Sequence, residues 1–556
     1  MDHADTLPAL FHRQADRFGS RVAFRYKRNG LYCDLRWDEY RDQVTACAAS
    51  LMNHDIEPGD RVAILAENRI AWLVADMAIL SIGAVNVPLH TPLSAEQVHW
   101  QLDDAGAKWI FVSNGSQYEK VRQVRDRLPE LRGIVAFDPV ACRAADTLAT
   151  SQAAMSWTGF LQRGRSVRGK IHAERPVALD DLATIIYTSG TTGNPKGVML
   201  THGNLFSNAL AFTQVSNFGP DSAFFNWLPF SHIYARTVDI YVTLAVGATL
   251  SLAESADTVV ANIGEIQPTN LSAVPRLYEK VLTAVQHDDP AVVGQRLRAI
   301  FGPRIDFLGS GGAPLPFPIA QAYKNAGFLV LQGYGLTESS PVISFNRKEA
   351  HKLESVGRPI PGVEVRIGDD GEVLTRGPHV MKGYWKNPHA TADALVDGWL
   401  HTGDLGRLDE DGYLHITGRK KELLVLSNGK KVVPSHIEGL MLADPCIDQV
   451  VVYGEGRNFL TALVVPHWGN LTKTMAIDGK TAPETLAGEP NVRAFLEARI
   501  AKALTVVANY EQVRKIVVLP EPLSVAKDEL TVSLKLRRSV IFDHYRAAFD
   551  ALYQEV

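Results

Sequence analysis

One stretch constrains this chain more than any other. Residues 182–187 are mostly apolar and read as a strand, and Val198, Met199 and Leu200 read as another. Between them lie three glycines (Gly190, Gly193, Gly197), four hydroxyls (Thr188, Ser189, Thr191, Thr192) and one lysine, Lys196, with no large apolar side chain. Such a loop gains nothing from burial. It suits backbone N–H groups and hydroxyls wrapped around a polyanion, with Lys196 balancing charge, and glycine allows the backbone to come close. A plain Gly/Ser turn is the competing reading for any glycine cluster. A P-loop of the NTPase kind needs Gly-Lys-Ser/Thr at the start of a helix. Here Lys196 stands between Pro195 and Gly197, neither of which continues a helix well.

Three later segments add groups suited to a nucleotide. Gly312 and Ala313 lie in a small-residue run after the apolar residues 305–308, where a flat base could approach the backbone. Gln332, Gly333, Tyr334, Thr337 and Glu338 follow the buried-looking strand 329–331. Asp404 ends the run Gly398-Trp399-Leu400-His401-Thr402-Gly403, and Arg419 opens a charged run after Gly418. Taken with residues 187–202, these motifs resemble the adenylate-forming superfamily of acyl-CoA synthetases, beetle luciferases and peptide-synthetase adenylation domains.

The resemblance implies roles residue by residue. Thr188, Ser189, Gly190, Thr191, Thr192, Gly193 and Lys196 would cradle the phosphates of ATP, and Thr191 with Glu338 would hold Mg²⁺. Magnesium does favour a hard carboxylate beside phosphate oxygens. Tyr334 would stack on adenine, Thr337 would reach the phosphate, and Asp404 and Arg419 would hold the ribose. His232, in Trp227-Leu228-Pro229-Phe230-Ser231-His232, matches a family histidine beside the acyl pocket. Lys421 would sit at a hinge, and Gly429 would flank the channel for the pantetheine arm of CoA. Lys535 matches the superfamily's catalytic lysine, although Arg537 and Arg538 beside it loosen the register. Some long-chain synthetases carry a gating tryptophan where this chain has Arg236; the alternative for Arg236 is an interior ion pair with Asp239.

A length of 556 residues calls for more than one domain. The expected fold is α/β: a large multi-layer N-terminal domain, 1–418, of two α/β subdomains plus a small β-barrel, then a smaller mobile α+β domain, 419–556, bearing Lys535. A net charge of −4 gives no case for nucleic acid as partner. The four cysteines have no metal or disulfide spacing, which suits a reducing cytoplasm. Residues 70–89 are apolar enough to imitate a membrane span, but Asp76, Gly83 and Asn86 favour a core helix that breaks at Gly83 and runs into a strand. Strands are expected at 21–26, 61–65 and 109–112 and helices at 37–52 and 94–105. Asn204 is expected to cap a helix from Leu205, and residues 140–175 to form surface structure. In the C-terminal part, residues 449–453 and 460–465 read as a hairpin, 492–508 as a helix and 515–519 as a strand.

The implied activity is ATP-dependent conversion of a fatty acid to acyl-AMP, then to a thioester with CoA. Long chains are suggested by the style of residues 227–236, 268–280 and 419–434. ATP, Mg²⁺ and CoA follow as cofactors. Two alternatives stay open: an acyl-AMP ligase that serves a carrier protein, and a non-catalytic sensor that kept the fold. The substrate makes peripheral membrane contact plausible without an integral segment, and the oligomeric state, a homodimer included, is left open.

Overall fold

In the computed structural model, residues 6–140, 154–167, 176–188, 194–478, 480–531 and 536–554 are described. Two large sheets dominate. A nine-stranded sheet runs from Arg358–Pro359 through Val342–Phe345, Val330–Gly335, Phe307–Ser310, Asn270–Ala273, Ala223–Asn226 and Thr249–Leu252 to Val22–Arg28 and Leu31–Arg36. Its middle is parallel, as crossover helices require. An eight-stranded sheet orders Gly383–Tyr384, Lys196–Thr201, Leu182–Thr188, Val85–Leu89, Arg61–Leu65, Ala107–Val112, Gly133–Ala136 and Met155–Ser156. One core joins the sheets, from Phe224 and Leu250 on the first to Ile64 and Ile186 on the second, through the helices between them.

The span-like segment lies in that sandwich. Helix Ile70–Ser81 is buried from Trp72 to Ser81, because sheets and helices cover it on every side. Gly83 takes φ +71°, and strand Val85–Leu89 follows. Among the described residues no helix is long and apolar enough to cross a membrane. Helix Ala95–Ala105 starts on a capping box of Ser94 and Gln97 and ends on Gly106 in the left-handed region.

Several local expectations shift. The helix after the glycine-rich loop is His202–Val215, and Thr201 is its N-cap. Asn204 completes that capping box, and its amide also donates to the carbonyls of Pro378 and Val380. Of residues 140–175, the described part adds an edge strand, Met155–Ser156, and a helix, Trp157–Val167, laid so close on Trp37–Asn53 that a Cβ at Gly164 would meet the Ala46 carbonyl at 1.7 Å. The segment expected as a small barrel is a five-stranded antiparallel sheet, Glu364–Ile367, Glu372–Arg376, Trp399–Leu408 and Leu395–Val396, with Leu414–Arg419 beside Trp399–Leu408.

Arg419 ends the last of those strands. Lys420–Glu422 make one 3₁₀ turn, and from Leu424 onward the buried apolar residues form clusters of their own. There the hairpin Ile447–Tyr453 with Leu460–Pro466 takes Val513–Val518 as a parallel third strand, packed by helix Pro490–Ala503.

Candidate active site

The two hairpin strands Leu182–Thr188 and Lys196–Thr201 pair antiparallel, Thr188 opposite Lys196. The loop they close, with Ser189, Gly190, Thr191, Thr192 and Gly193, lies outside the described residues, as does Lys535. Thr188 and Lys196 line a cavity of about 1470 Å³. His232, Gly312, Gly333, Tyr334, Thr337, Glu338, Arg419 and Lys421 line the same cavity. Side chains dispersed over more than two hundred positions therefore face one space.

One part of its wall is tightly built. Asp404, expected at the ribose, does not itself line the cavity; it is buried behind two residues that do, its Oδ2 accepting from the Tyr334 hydroxyl at 2.7 Å and its Oδ1 from Arg419 Nε at 2.9 Å. Burial and the Asp404 charge hold the Tyr334 phenol protonated. Burial works against the Arg419 charge, but Asp404 and Glu422 outweigh it.

Glu338 sits on the single 3₁₀ turn Thr337–Ser339. Asn208, on the helix that follows the hairpin, donates to the Val342 carbonyl (2.7 Å) and accepts the Val342 N–H (3.1 Å), so it ties the strand after this turn to that helix. The Tyr384 hydroxyl donates to Glu338 Oε1 at 2.9 Å. The Lys196 ammonium lies 4.9 Å from the centre of the Tyr384 ring. Among the described residues no cluster of three or more metal-ligating side chains occurs. A single carboxylate with one oxygen turned to a phenol suits magnesium, which takes one or two carboxylates and fills its shell with phosphate and water.

The same cavity is also lined by the apolar residues Phe212, Val238, Val342 and Phe345, and the rings of Phe212 and Phe345 meet edge to face at 4.8 Å. His232 lines it as well. Its Nδ1 accepts the Tyr234 N–H at 3.1 Å, which puts the proton of the neutral ring on Nε2. His90 also lines the cavity, with Nδ1 2.7 Å from Ser231 Oγ. Burial pushes it down to about 4, so it is neutral near pH 7. The sequence offered no signal for His90 or Tyr384; only their contacts mark them.

Not every expected residue lines the cavity. Gln332 is occupied elsewhere: its oxygen accepts the Leu315 N–H (3.2 Å) and its amide donates to the Leu353 carbonyl (2.7 Å). Ala313 is exposed outside the cavity wall. Gly429, at φ +78°, makes the tip of the short hairpin Leu424–Val425 with Lys431–Val432, the ordinary-turn reading. Two glycines of the strand Val330–Gly335 answer to protein neighbours. A Cβ at Gly335 would meet the Pro341 carbonyl at 1.7 Å, and one at Gly333 would meet the Phe345 ring at 2.5 Å. Arg236 does not pair with Asp239. It is fully buried and reaches Asp76 and Thr184, while Asp239 accepts from Asn226 at 2.7 Å. Lys420, which lines the cavity, pairs with Asp370 (2.6 Å) and Glu372 (3.1 Å).

From the C-terminal part Asp528, Thr531 and Arg537, which flank residues 532–535 in the sequence, also line the cavity. Arg537 pairs with Asp528. Arg538 binds Glu438 through two 2.7 Å contacts and Glu422, in the turn after Arg419, at 3.2 Å.

The profile of the AMP-binding enzymes matches residues 11–385, and that of the AMP-binding enzyme C-terminal domain matches residues 421–556. The chain belongs to the AMP-binding enzyme family. Among its relatives, a long-chain-fatty-acid–CoA ligase, FadD15, of Mycobacterium tuberculosis is 31% identical, over 100% of this chain and 98% of that protein. A long-chain-fatty-acid–CoA ligase, ACSBG2, of Xenopus laevis is 26% identical over 99% of this chain and 84% of that one. The fold matches the anthranilate CoA ligase AuaEII in complex with anthranoyl-AMP, with a TM-score of 0.82 at 19% identity and 99% of each chain covered. It also matches the adenylation domain of a carboxylate reductase from Mycobacterium chelonae, with a TM-score of 0.83 at 24% identity, over 100% of this chain and 92% of that one.

Proposed function

We propose that this AMP-binding enzyme is a long-chain-fatty-acid–CoA ligase. In the first half-reaction a carboxylate oxygen of the fatty acid attacks the α-phosphorus of ATP. The bond from that phosphorus to the pyrophosphate oxygen breaks, and acyl-AMP forms. In the second, the thiol of CoA attacks the acyl carbon, the carbon–oxygen bond to AMP breaks, and the thiol proton is lost. The carboxylate alone is a poor electrophile; adenylation turns its oxygen into part of a good leaving group.

The observation that carries the substrate class is one cavity lined both by apolar side chains, Phe212, Val238, Val342 and Phe345, and by polar ones, His232, Lys196, Glu338 and Arg419. There Asp404, flanked by Tyr334 and Arg419, would accept the ribose hydroxyls, and Lys196 would meet phosphate charge. Both needs are electrostatic, since negative charge gathers on phosphate as pyrophosphate departs. Glu338 would hold Mg²⁺, which supplies charge neutralisation when bound. His232 would orient the carboxylate by its Nε2–H. Full-length similarity to proteins named long-chain-fatty-acid–CoA ligases supports the chain length.

We place the division between the domains at residue 419, and assign to Lys535 of the smaller domain the catalytic role at the phosphates. The cavity-lining residues on both sides of 532–535, and the engagement of Arg537 and Arg538 elsewhere, support that register. The acceptor is CoA rather than a carrier protein. The interval from Asp404 to Pro434 is filled by strand, turn and hairpin, with no added segment to obstruct a thiol arm.

Pyrophosphate release with ATP and fatty acids of graded length, followed by transfer to CoA or to a carrier protein, tests each part. Release should peak on long chains and the product should be acyl-CoA. A peak on short or aromatic acids would overturn the substrate, transfer only to a carrier protein would overturn the acceptor, and no release with any acid would leave a sensor.

A further inference from the structure

Tyr384 touches two oppositely charged groups of the cavity without carrying charge itself. Its hydroxyl donates to Glu338 Oε1 at 2.9 Å, and its ring face takes the Lys196 ammonium at 4.9 Å from the centroid. Its own position is fixed twice. Tyr384 pairs with Val198 on the strand that begins at Lys196, and its N–H donates to Thr391 Oγ1 at 2.9 Å. The Glu338 turn is held just as firmly, since the Met381 N–H donates to the Glu338 carbonyl at 2.9 Å. A cation and a carboxylate are thus carried on neighbouring segments, one ring apart.

Left to themselves, such groups attract. At the effective dielectric of a protein surface a close pair attracts several times more strongly than in bulk water. A closed Lys196–Glu338 pair would consume the carboxylate needed for a metal and the cation needed for phosphate. The aromatic face offers the ammonium a partner that spends no carboxylate. The hydroxyl holds one carboxylate oxygen and leaves the other to a ligand.

We propose that Tyr384 is a positioning residue that separates Lys196 from Glu338 and so keeps the carboxylate open to Mg²⁺ with bound ATP. The proposal rests on the reading of Glu338 as the magnesium ligand. Its signature is therefore the magnesium dependence of nucleotide binding, not the rate alone.

The test is thermal stabilisation by saturating ATP at graded Mg²⁺, read as the Mg²⁺ concentration at half effect, alongside turnover at saturating Mg²⁺. Tyr384→Leu removes the separator and should raise that concentration about tenfold, the scale of one cation–π contact and one charged hydrogen bond lost. Tyr384→Phe keeps the ring and should raise it only about twofold to threefold, the hydroxyl's share. Adding Lys196→Met to Tyr384→Leu removes the competing cation and should return the midpoint to that of Lys196→Met alone. Excess Mg²⁺ should recover most of the turnover of Tyr384→Phe. Equal midpoints for wild type, Tyr384→Phe and Tyr384→Leu would overturn the proposal. So would a loss of ATP binding in Tyr384→Leu that no Mg²⁺ concentration and no change at Lys196 repairs, since that is the mark of a merely structural ring. If Tyr384→Leu does not fold, a Tyr384→Phe midpoint raised as far as tenfold would assign the effect to the hydroxyl alone and overturn the separator. If the wild-type protein binds ATP without any Mg²⁺ dependence, the metal reading of Glu338 fails first and the proposal with it.

Discussion

Replacing Arg236 with methionine should destabilise the N-terminal domain by about 3–5 kcal/mol, the cost of removing one partner from a buried ion pair. Arg236 has no exposed surface, and Asp76, its partner, is 1% exposed. The guanidinium also donates to Thr184 Oγ1 at 2.7 Å and lies 5.7 Å and 5.6 Å from the Trp72 and Tyr241 ring centres. Methionine keeps most of the stem's bulk, so the cavity contribution is small, and the loss is mainly electrostatic. Asp76 keeps donors from Asn86 (2.6 Å) and Tyr241 (3.0 Å), which places the cost toward the lower end of that range. Urea unfolding followed by tryptophan fluorescence reads the change, Trp72 being in contact with the site. The same logic makes the double variant Arg236→Met with Asp76→Leu more stable than Arg236→Met alone, because no uncompensated charge is then left in the core. A single variant within about 1 kcal/mol of wild type, or a double variant no better than the single, would show that the pair does not hold the domain as described.

Two further outcomes are expected. Lys535→Ala should abolish acyl-AMP formation, read as pyrophosphate release, and spare thioester formation from supplied acyl-AMP; equal loss of both would refute the lysine's assignment to the first step. Burial lifts the Asp239 carboxyl to about 7, whereas the unfolded chain releases that proton near pH 4, so this group's contribution to stability declines as pH rises through that window. Asp239→Asn should therefore gain on wild type between about pH 4 and pH 7, at about 1.4 kcal/mol for each tenfold change in proton affinity, and parallel urea midpoints across that range would refute it.

Local chemistry made part of this protein legible. The break between helix and strand at Gly83 could be read because a glycine free to take φ +71° interrupts an otherwise continuous apolar run. The convergence of Lys196, Glu338, Tyr334 and Arg419 on one cavity followed motif by motif, since each motif is contiguous. What failed was pairing across the chain. Asp239 looked like the partner of Arg236 because it is three residues away, the spacing of an ordinary helix face. The segment is instead a π-helix, Ala235–Tyr241, and the carboxylate that binds Arg236 comes from helix Ile70–Ser81 in the other subdomain. Gln332 reads like part of a nucleotide motif, yet two backbone groups far from that motif claim its amide.

Tyr384 makes the general point. Nothing in Gly383-Tyr384-Trp385 announces a site residue, and its role follows from sheet register alone, with Tyr384 opposite Val198 beside the strand's first residue, Lys196. A sequence shows which residues bear charge. It does not show what stands between two charges, and a site that binds both a metal and a phosphate depends on keeping its own cation and anion from neutralising each other first. The neutral residues that keep them apart are therefore the part of such a site that motifs are least able to reveal.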